Sequence, residues 1–203
     1  MIRSRSVALA LLSLAALAAP AHAHHMMDGE LPGTFSQGLL SGLGHPVIGL
    51  DHLAFIVAAG LVAGAYGLSL ALPVAFVGAS MVGVLAHVAG VSLPGAELLV
   101  AASVLLIGVL LARGAALGTP VWAGLFAVAG LFHGYAYGES IFGAEATPLV
   151  AYLAGLFVIQ SAIAVGVALA ARGLAIAPLN ARLAGAAVAG IGIAVLAGQI
   201  LPG

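Results

Sequence analysis

The chain contains no cysteine and no lysine, and only 5% of its 203 residues are charged, against about 25% in an ordinary soluble domain. Each shortage removes a class of chemistry. Without cysteine there are no disulfides, thiolate zinc sites, iron–sulfur clusters or thiol nucleophiles. Without lysine, and with no GxxxxGK[ST] stretch, there is no phosphate-binding loop for nucleotide hydrolysis, so any transport draws on a gradient or a partner. A net charge of -1 offers no electrostatic footprint for nucleic acid. Five basic and six acidic side chains also cannot cover the surface of a water-soluble fold of this length. Apolar residues are in excess instead, 64% of the total at a mean hydropathy of +1.27. The solvent these numbers imply is a lipid bilayer.

Arg3 and Arg5 precede an apolar run from Val7 to Ala19, and Pro20-Ala21-His22-Ala23 supplies a small-residue cleavage site. About 13 apolar residues are too few to cross a membrane, which takes ~20. Residues 1–23 are therefore expected to be a cleaved signal peptide, with the mature chain starting at His24 on the periplasmic side of a bacterial inner membrane. Six apolar stretches follow, approximately Pro46 to Gly64, Leu68 to His87, Pro94 to Leu111, Thr119 to Tyr137, Thr147 to Ala171 and Arg182 to Leu201. The expected fold is an all-α membrane protein in which residues 24–203 form a single six-helix domain.

Counting from an outer start, the inner connections near Gly67, Gly114 and Pro178 hold Arg113, Arg172 and Arg182, as the positive-inside rule requires. Asp28, Glu30, Asp51, Glu97, Glu139 and Glu145 fall on the outer side or in the outer part of a span, as do all six mature histidines. Such a one-signed face concentrates cations at its mouth. Gly38-x3-Gly42, Gly60-x3-Gly64 and Gly134-x3-Gly138 have the spacing that lets membrane helices approach closely. Tyr66 and Trp122 near the inner face, and Tyr135 and Tyr137 near the outer, read as interfacial aromatic belts.

Ionisable groups inside spans are expensive and by default mark ion pathways, relays or ligand sites. His45-Pro46-Val47-Ile48-Gly49-Leu50-Asp51-His52 opens the first span, with Pro46 suited to a first helical turn. On a regular helix His45 and His52 are about 700° and ~10.5 Å apart, too far for one ion. Either Pro46 to Gly49 is distorted, or His45 is an entry site above a deeper Asp51/His52 pair. Phe132-His133-Gly134-Tyr135-Ala136-Tyr137-Gly138-Glu139 closes the fourth span, and His87 ends the second. His52, His87, His133, Asp51 and Glu139 are expected to converge in the outer third of the bundle. Imidazole and carboxylate without sulfur suit Ni²⁺, Co²⁺ or Zn²⁺ better than Cu⁺.

These residues resemble a known family. His45-x5-Asp51-His52 looks like the HX5DH signature of the HupE/UreJ family of hydrogenase- and urease-associated nickel permeases. Phe132 to Glu139 is similar to its FHGxAxGxE signature, with Glu139 taken as the acid. The resemblance covers almost the whole chain and implies uptake of nickel, with cobalt as a second cargo, serving nickel-enzyme maturation proteins. By motif position it assigns metal binding to His45, Asp51, His52, His133 and Glu139, whereas His87 rests on the topology argument alone. No prosthetic group is implied, and no enzymatic activity.

Two other classes stay open at this point. One is an intramembrane metal hydrolase, since His and Asp on membrane helices can bind zinc with an open water position. The other is a metal-binding accessory or sensor protein that moves nothing. The mature terminus, His24-His25-Met26-Met27-Asp28, is a further candidate, because a free α-amine beside His24 and His25 can chelate a divalent ion for capture.

Overall fold

The computed structural model describes residues 30–201. The expected signal peptide and the expected capture residues His24 and His25 lie outside the described residues. Those described form seven α-helices and one short 3-10 helix: α1 (Phe35–Ile48), α2 (Leu50–Ala65), α3 (Ala71–Val88), α4 (Ala96–Ala112), α5 (Thr119–Gly138), the 3-10 turn Glu139–Ile141, α6 (Ala146–Gly173) and α7 (Pro178–Ile200). Five of the six apolar stretches are each occupied by one helix, α3 to α7, whereas the first, from Pro46, takes in the end of α1, the break at Gly49 and α2. Helix α1 is the addition. Its start is fixed by a capping box in which Thr34 accepts from the Gln37 backbone N–H while the Gln37 side chain accepts from the Thr34 N–H.

By length and composition, three helices can cross a membrane: α3, α6 and α7. Helices α1 and α2 together make a fourth candidate, a pair bent by 78° at Gly49. Pro46 is not in a first turn, as the sequence suggested, but inside α1 near its end. Its missing N–H removes one bond of the helical ladder there. Gly49, in an extended conformation (φ -72, ψ 104), ends α1 by donating to the His45 carbonyl and at once starts α2. A Cβ at Gly49 would sit 2.8 Å from the His52 ring, so the break is built for glycine.

Glycine faces hold the bundle together. Helices α3 and α5 run parallel, and Gly130, Gly134 and Gly138 of α5 press in turn on Phe76, Ser80 and His87. Gly38 and Gly42 seat α1 on Pro148 and Tyr152 of α6, while Gly60 and Gly64 seat α2 further along the same helix, on Ala164 and Ala168. Gly108, Gly185 and Gly192 do the same for antiparallel α4 and α7. The expected glycine pairs are thus helix contacts, as small residues at this interval should be.

At one end of the bundle arginines close helix C-termini. Arg172 donates to the carbonyls of Ala63 and Leu68, and Arg182 Nε donates to Ala112 O at 2.9 Å. Arg182 thus satisfies a carbonyl that a helix end leaves bare, while Arg172 ties the end of α2 to the loop that follows it. Burial pushes the nearby Tyr66 phenol above its ordinary pKa, and Arg182 partly opposes the shift. Glu97, Glu139 and Glu145 lie exposed at the opposite end.

Four helices end in a turn closed by a 6→1 backbone bond, as in Leu68 N to Ala63 O. Three place glycine at the left-handed position, Gly67, Gly90 and Gly114, whereas α6 uses Ala175 at φ 43. A Cβ in that region costs roughly 1–2 kcal/mol. Ala175→Gly is therefore expected to raise the melting temperature in detergent, and an unchanged or lower value would contradict this strain.

Candidate metal site

The break between α1 and α2 brings three histidines together. Because the chain turns by 78° at Gly49, the ring centroids of His45 and His52 are 6.2 Å apart at 86°. Of the two arrangements left open by the sequence, the distorted one is observed. His52 is 7% exposed and His133, from α5, is fully buried. Their Nδ1 atoms lie 2.8 Å apart. His133 Nε2 in turn lies 2.8 Å from Ser103 Oγ on α4. On the other side, His45 Nδ1 is 3.0 Å from Ser140 Oγ and 2.9 Å from Tyr152 Oη. Five helices and the 3-10 turn thus contribute to two neighbouring polar arms, one through His52, His133 and Ser103 and the other through His45, Ser140 and Tyr152.

Tyr137 stands between the two arms, its ring 5.0 Å from His45 and 4.2 Å from His52. Its hydroxyl is buried with no hydrogen-bond partner among the described residues. Asp51, half-buried in the first turn of α2, accepts the His52 backbone N–H at 2.8 Å. The Asp51 charge is also favoured there by the helix dipole. Below the cluster Phe55 and Phe76 pack on His133 and stack on each other at 4.9 Å, with Phe126 against Phe55. The floor of the site is aromatic.

Several expected members are elsewhere. His87 does not join the cluster: Ser80 is the α3 residue level with Gly134, so His87, nearly two turns further on, reaches past it. It packs on Tyr135 at 4.4 Å and Phe142 at 5.6 Å, with Nδ1 buried and without a hydrogen-bond partner among the described residues. Glu139 is exposed where the 3-10 turn begins, and the residue that turns inward is the next one, Ser140. Among the described residues no three His, Asp or Glu side chains are arranged to enclose a metal ion. The expected aromatic belts are also corrected. Tyr137 and Trp122 are fully buried, and Tyr135 turns inward to donate to Val91 O and accept from Leu93 N.

The model of the family described as HupE / UreJ protein matches residues 10–195. The chain belongs to the HupE/UreJ family. It is 36% identical over 189 residues to "Protein HupE" of Rhizobium leguminosarum bv. viciae, covering 92% of this chain and 96% of that one. No solved structure matches it. Counted place by place, the ninth position of FHGxAxGxE falls on Ser140, so the acid at Glu139 is displaced by one residue in this HupE/UreJ chain. The structure gives that shift a consequence, since Ser140 contacts His45 and Glu139 faces outward.

Sequence reasoning missed Ser103, Ser140 and Tyr152 altogether. Ser103 carried a readable signal, as the sole hydroxyl in the apolar helix α4. Tyr152 and Ser140 carried none, because their role depends on helices that meet only in the fold.

Proposed function

We propose that this chain carries a divalent transition-metal ion, nickel first and cobalt second, across the bacterial inner membrane to supply nickel-enzyme maturation. The observation that carries this reading is the convergence of His45, His52 and His133 at a broken helix inside an apolar bundle. Broken helices at mid-membrane are where transporters place ion sites, because the interrupted backbone lines a cavity. The Tyr137 hydroxyl, buried without a partner among the described residues, suits a cargo that arrives with water. Membership of the HupE/UreJ family supports the choice of cargo.

In this reading helices α2 to α7 are six crossings that follow a cleaved signal peptide, with the mature terminus in the periplasm. The outer acids draw the ion in, and imidazoles replace part of its hydration shell. Two charges moving down an inside-negative potential gain about 4.6 kcal/mol per 100 mV, so no ATPase is needed. The chain works as a carrier, not an enzyme.

Purified protein in sealed vesicles with an inside-negative potential is expected to accumulate radioactive nickel. Binding without accumulation would favour a sensor or accessory role, and turnover of lipid or peptide without uptake would favour a hydrolase. Orientation has its own check, made clean by the absence of native cysteine. Ala146→Cys, beside Glu145, is expected to react with an impermeant maleimide from the periplasm, and Ala116→Cys, near Arg113, is not. Reversed labelling would turn the site toward the cytoplasm and contradict import.

A further inference from the structure

Each hydroxyl around the histidines has one proton to give, and that fixes which ring nitrogens carry hydrogen. Ser103 Oγ lies 2.7 Å from the Val100 carbonyl and 2.8 Å from His133 Nε2. A carbonyl only accepts, and two oxygens this close with no hydrogen between them repel. The serine proton therefore goes to Val100, and His133 donates to Ser103 from Nε2. A neutral imidazole, the form that ligates metals, has one N–H, so His133 Nδ1 is bare. The 2.8 Å contact between the Nδ1 atoms of His133 and His52 also needs one hydrogen. His52 supplies it and keeps its own lone pair on Nε2.

The same count settles His45. Ser140 Oγ, Tyr152 Oη and the Tyr137 carbonyl oxygen lie 2.9 to 3.1 Å from one another, and these three oxygen–oxygen contacts take up both hydroxyl protons. The contacts of His45 Nδ1 with the two hydroxyl oxygens, 2.9 and 3.0 Å, are then satisfied only if Nδ1 donates. His45, like His52, carries its lone pair on Nε2. A ligating imidazole has its centroid about 3 Å from the metal. Rings 6.2 Å apart reach one ion where their Nε2 atoms face it from opposite sides.

We propose that His45 and His52 hold the ion through Nε2, while His133 is a positioning residue: anchored by Ser103, it fixes the tautomer of His52 and does not touch the ion. Tyr152 and Ser140 do for His45 what His133 does for His52. The proposal rests on the reading that this cluster binds a divalent ion. It departs from the motif, which treats His133 as a ligand.

Two measurements on the full chain in detergent test it. In ¹⁵N-histidine-labelled protein, assigned by single substitutions, the imidazole spectrum is expected to show hydrogen on Nε2 of His133 and on Nδ1 of His52 and His45. The opposite polarity at His133 and His52 overturns the proposal. Nickel titration calorimetry then compares His133→Asn, whose amide oxygen can replace Nδ1 as acceptor, with His133→Leu, which cannot accept. Removing an outer partner of a metal ligand typically costs 10- to 100-fold in affinity, so the Leu variant is expected to lose roughly that, and the Asn variant to stay within about threefold of the original. The His45 Nδ1–H signal, held by separate hydroxyls, reports that each variant is folded. If Asn is as damaging as Leu in folded protein, His133 is a ligand and the proposal falls. If the unsubstituted chain binds no nickel, the ion reading fails instead, and the nitrogen spectrum still decides the tautomers.

Discussion

His52→Ala and Asp51→Asn are each expected to abolish high-affinity nickel uptake while leaving the chain in the membrane near its normal level. His52 sits at the centre of the cluster, against His133, Tyr137 and His45. Losing a direct ligand costs more than losing an outer partner, so the fall in affinity is expected to exceed about 100-fold. Asp51 is the carboxylate nearest the break, and its amide variant keeps the size of the side chain and an oxygen for the His52 N–H while removing the charge. Close helix seating is made by glycines elsewhere, and the His52 side chain adds to it one contact from α2 to His133 of α5. Membrane level by immunoblot and uptake in the same cells separate the two effects. Normal transport in either variant refutes the assignment, and loss from the membrane makes the pair structural.

The second large effect concerns packing. Gly134→Ala is expected to keep the chain from accumulating, because a methyl group there runs into the Ser80 carbonyl oxygen, which belongs to a helix backbone and cannot swing aside. Overpacking of this kind costs typically 1–3 kcal/mol and sometimes more, and each 1.4 kcal/mol is about tenfold in the folded population. Gly42→Ala meets the Tyr152 carbonyl in the same way. Gly166→Ala and Gly190→Ala, where nothing lies within 4 Å, are the controls and are expected to accumulate normally. Equal membrane levels for Gly134→Ala and Gly166→Ala would contradict the α3–α5 contact.

Dense hydropathy explains why the cores of α2 to α7 could be read from the chain alone. Helix α1 could not, since Phe35–Ile48 mixes Ser36, Gln37, Ser41, three glycines and Pro46 with its apolar residues. Its stability comes from the Thr34 capping box and from packing on α6, and only the first is local. The seven-residue interval between His45 and His52 left two geometries, and the choice was made by Gly49 together with the tertiary contacts that hold the 78° bend. His87 was misplaced because depth along a span does not give level across helices, which the Gly134–Ser80 contact sets. Tyr137 and Trp122 were misread as belts for a related reason: an aromatic near a helix end looks alike whether it faces lipid or a neighbouring helix.

X-ray absorption of the nickel-loaded protein tests most directly whether the ion is held at the broken helix. The account predicts a first shell of nitrogen and oxygen at about 2.1 Å with no sulfur, together with imidazole outer-shell scattering that weakens in His45→Ala and in His52→Ala. A shell of oxygen alone, or imidazole scattering unchanged in both variants, would contradict it.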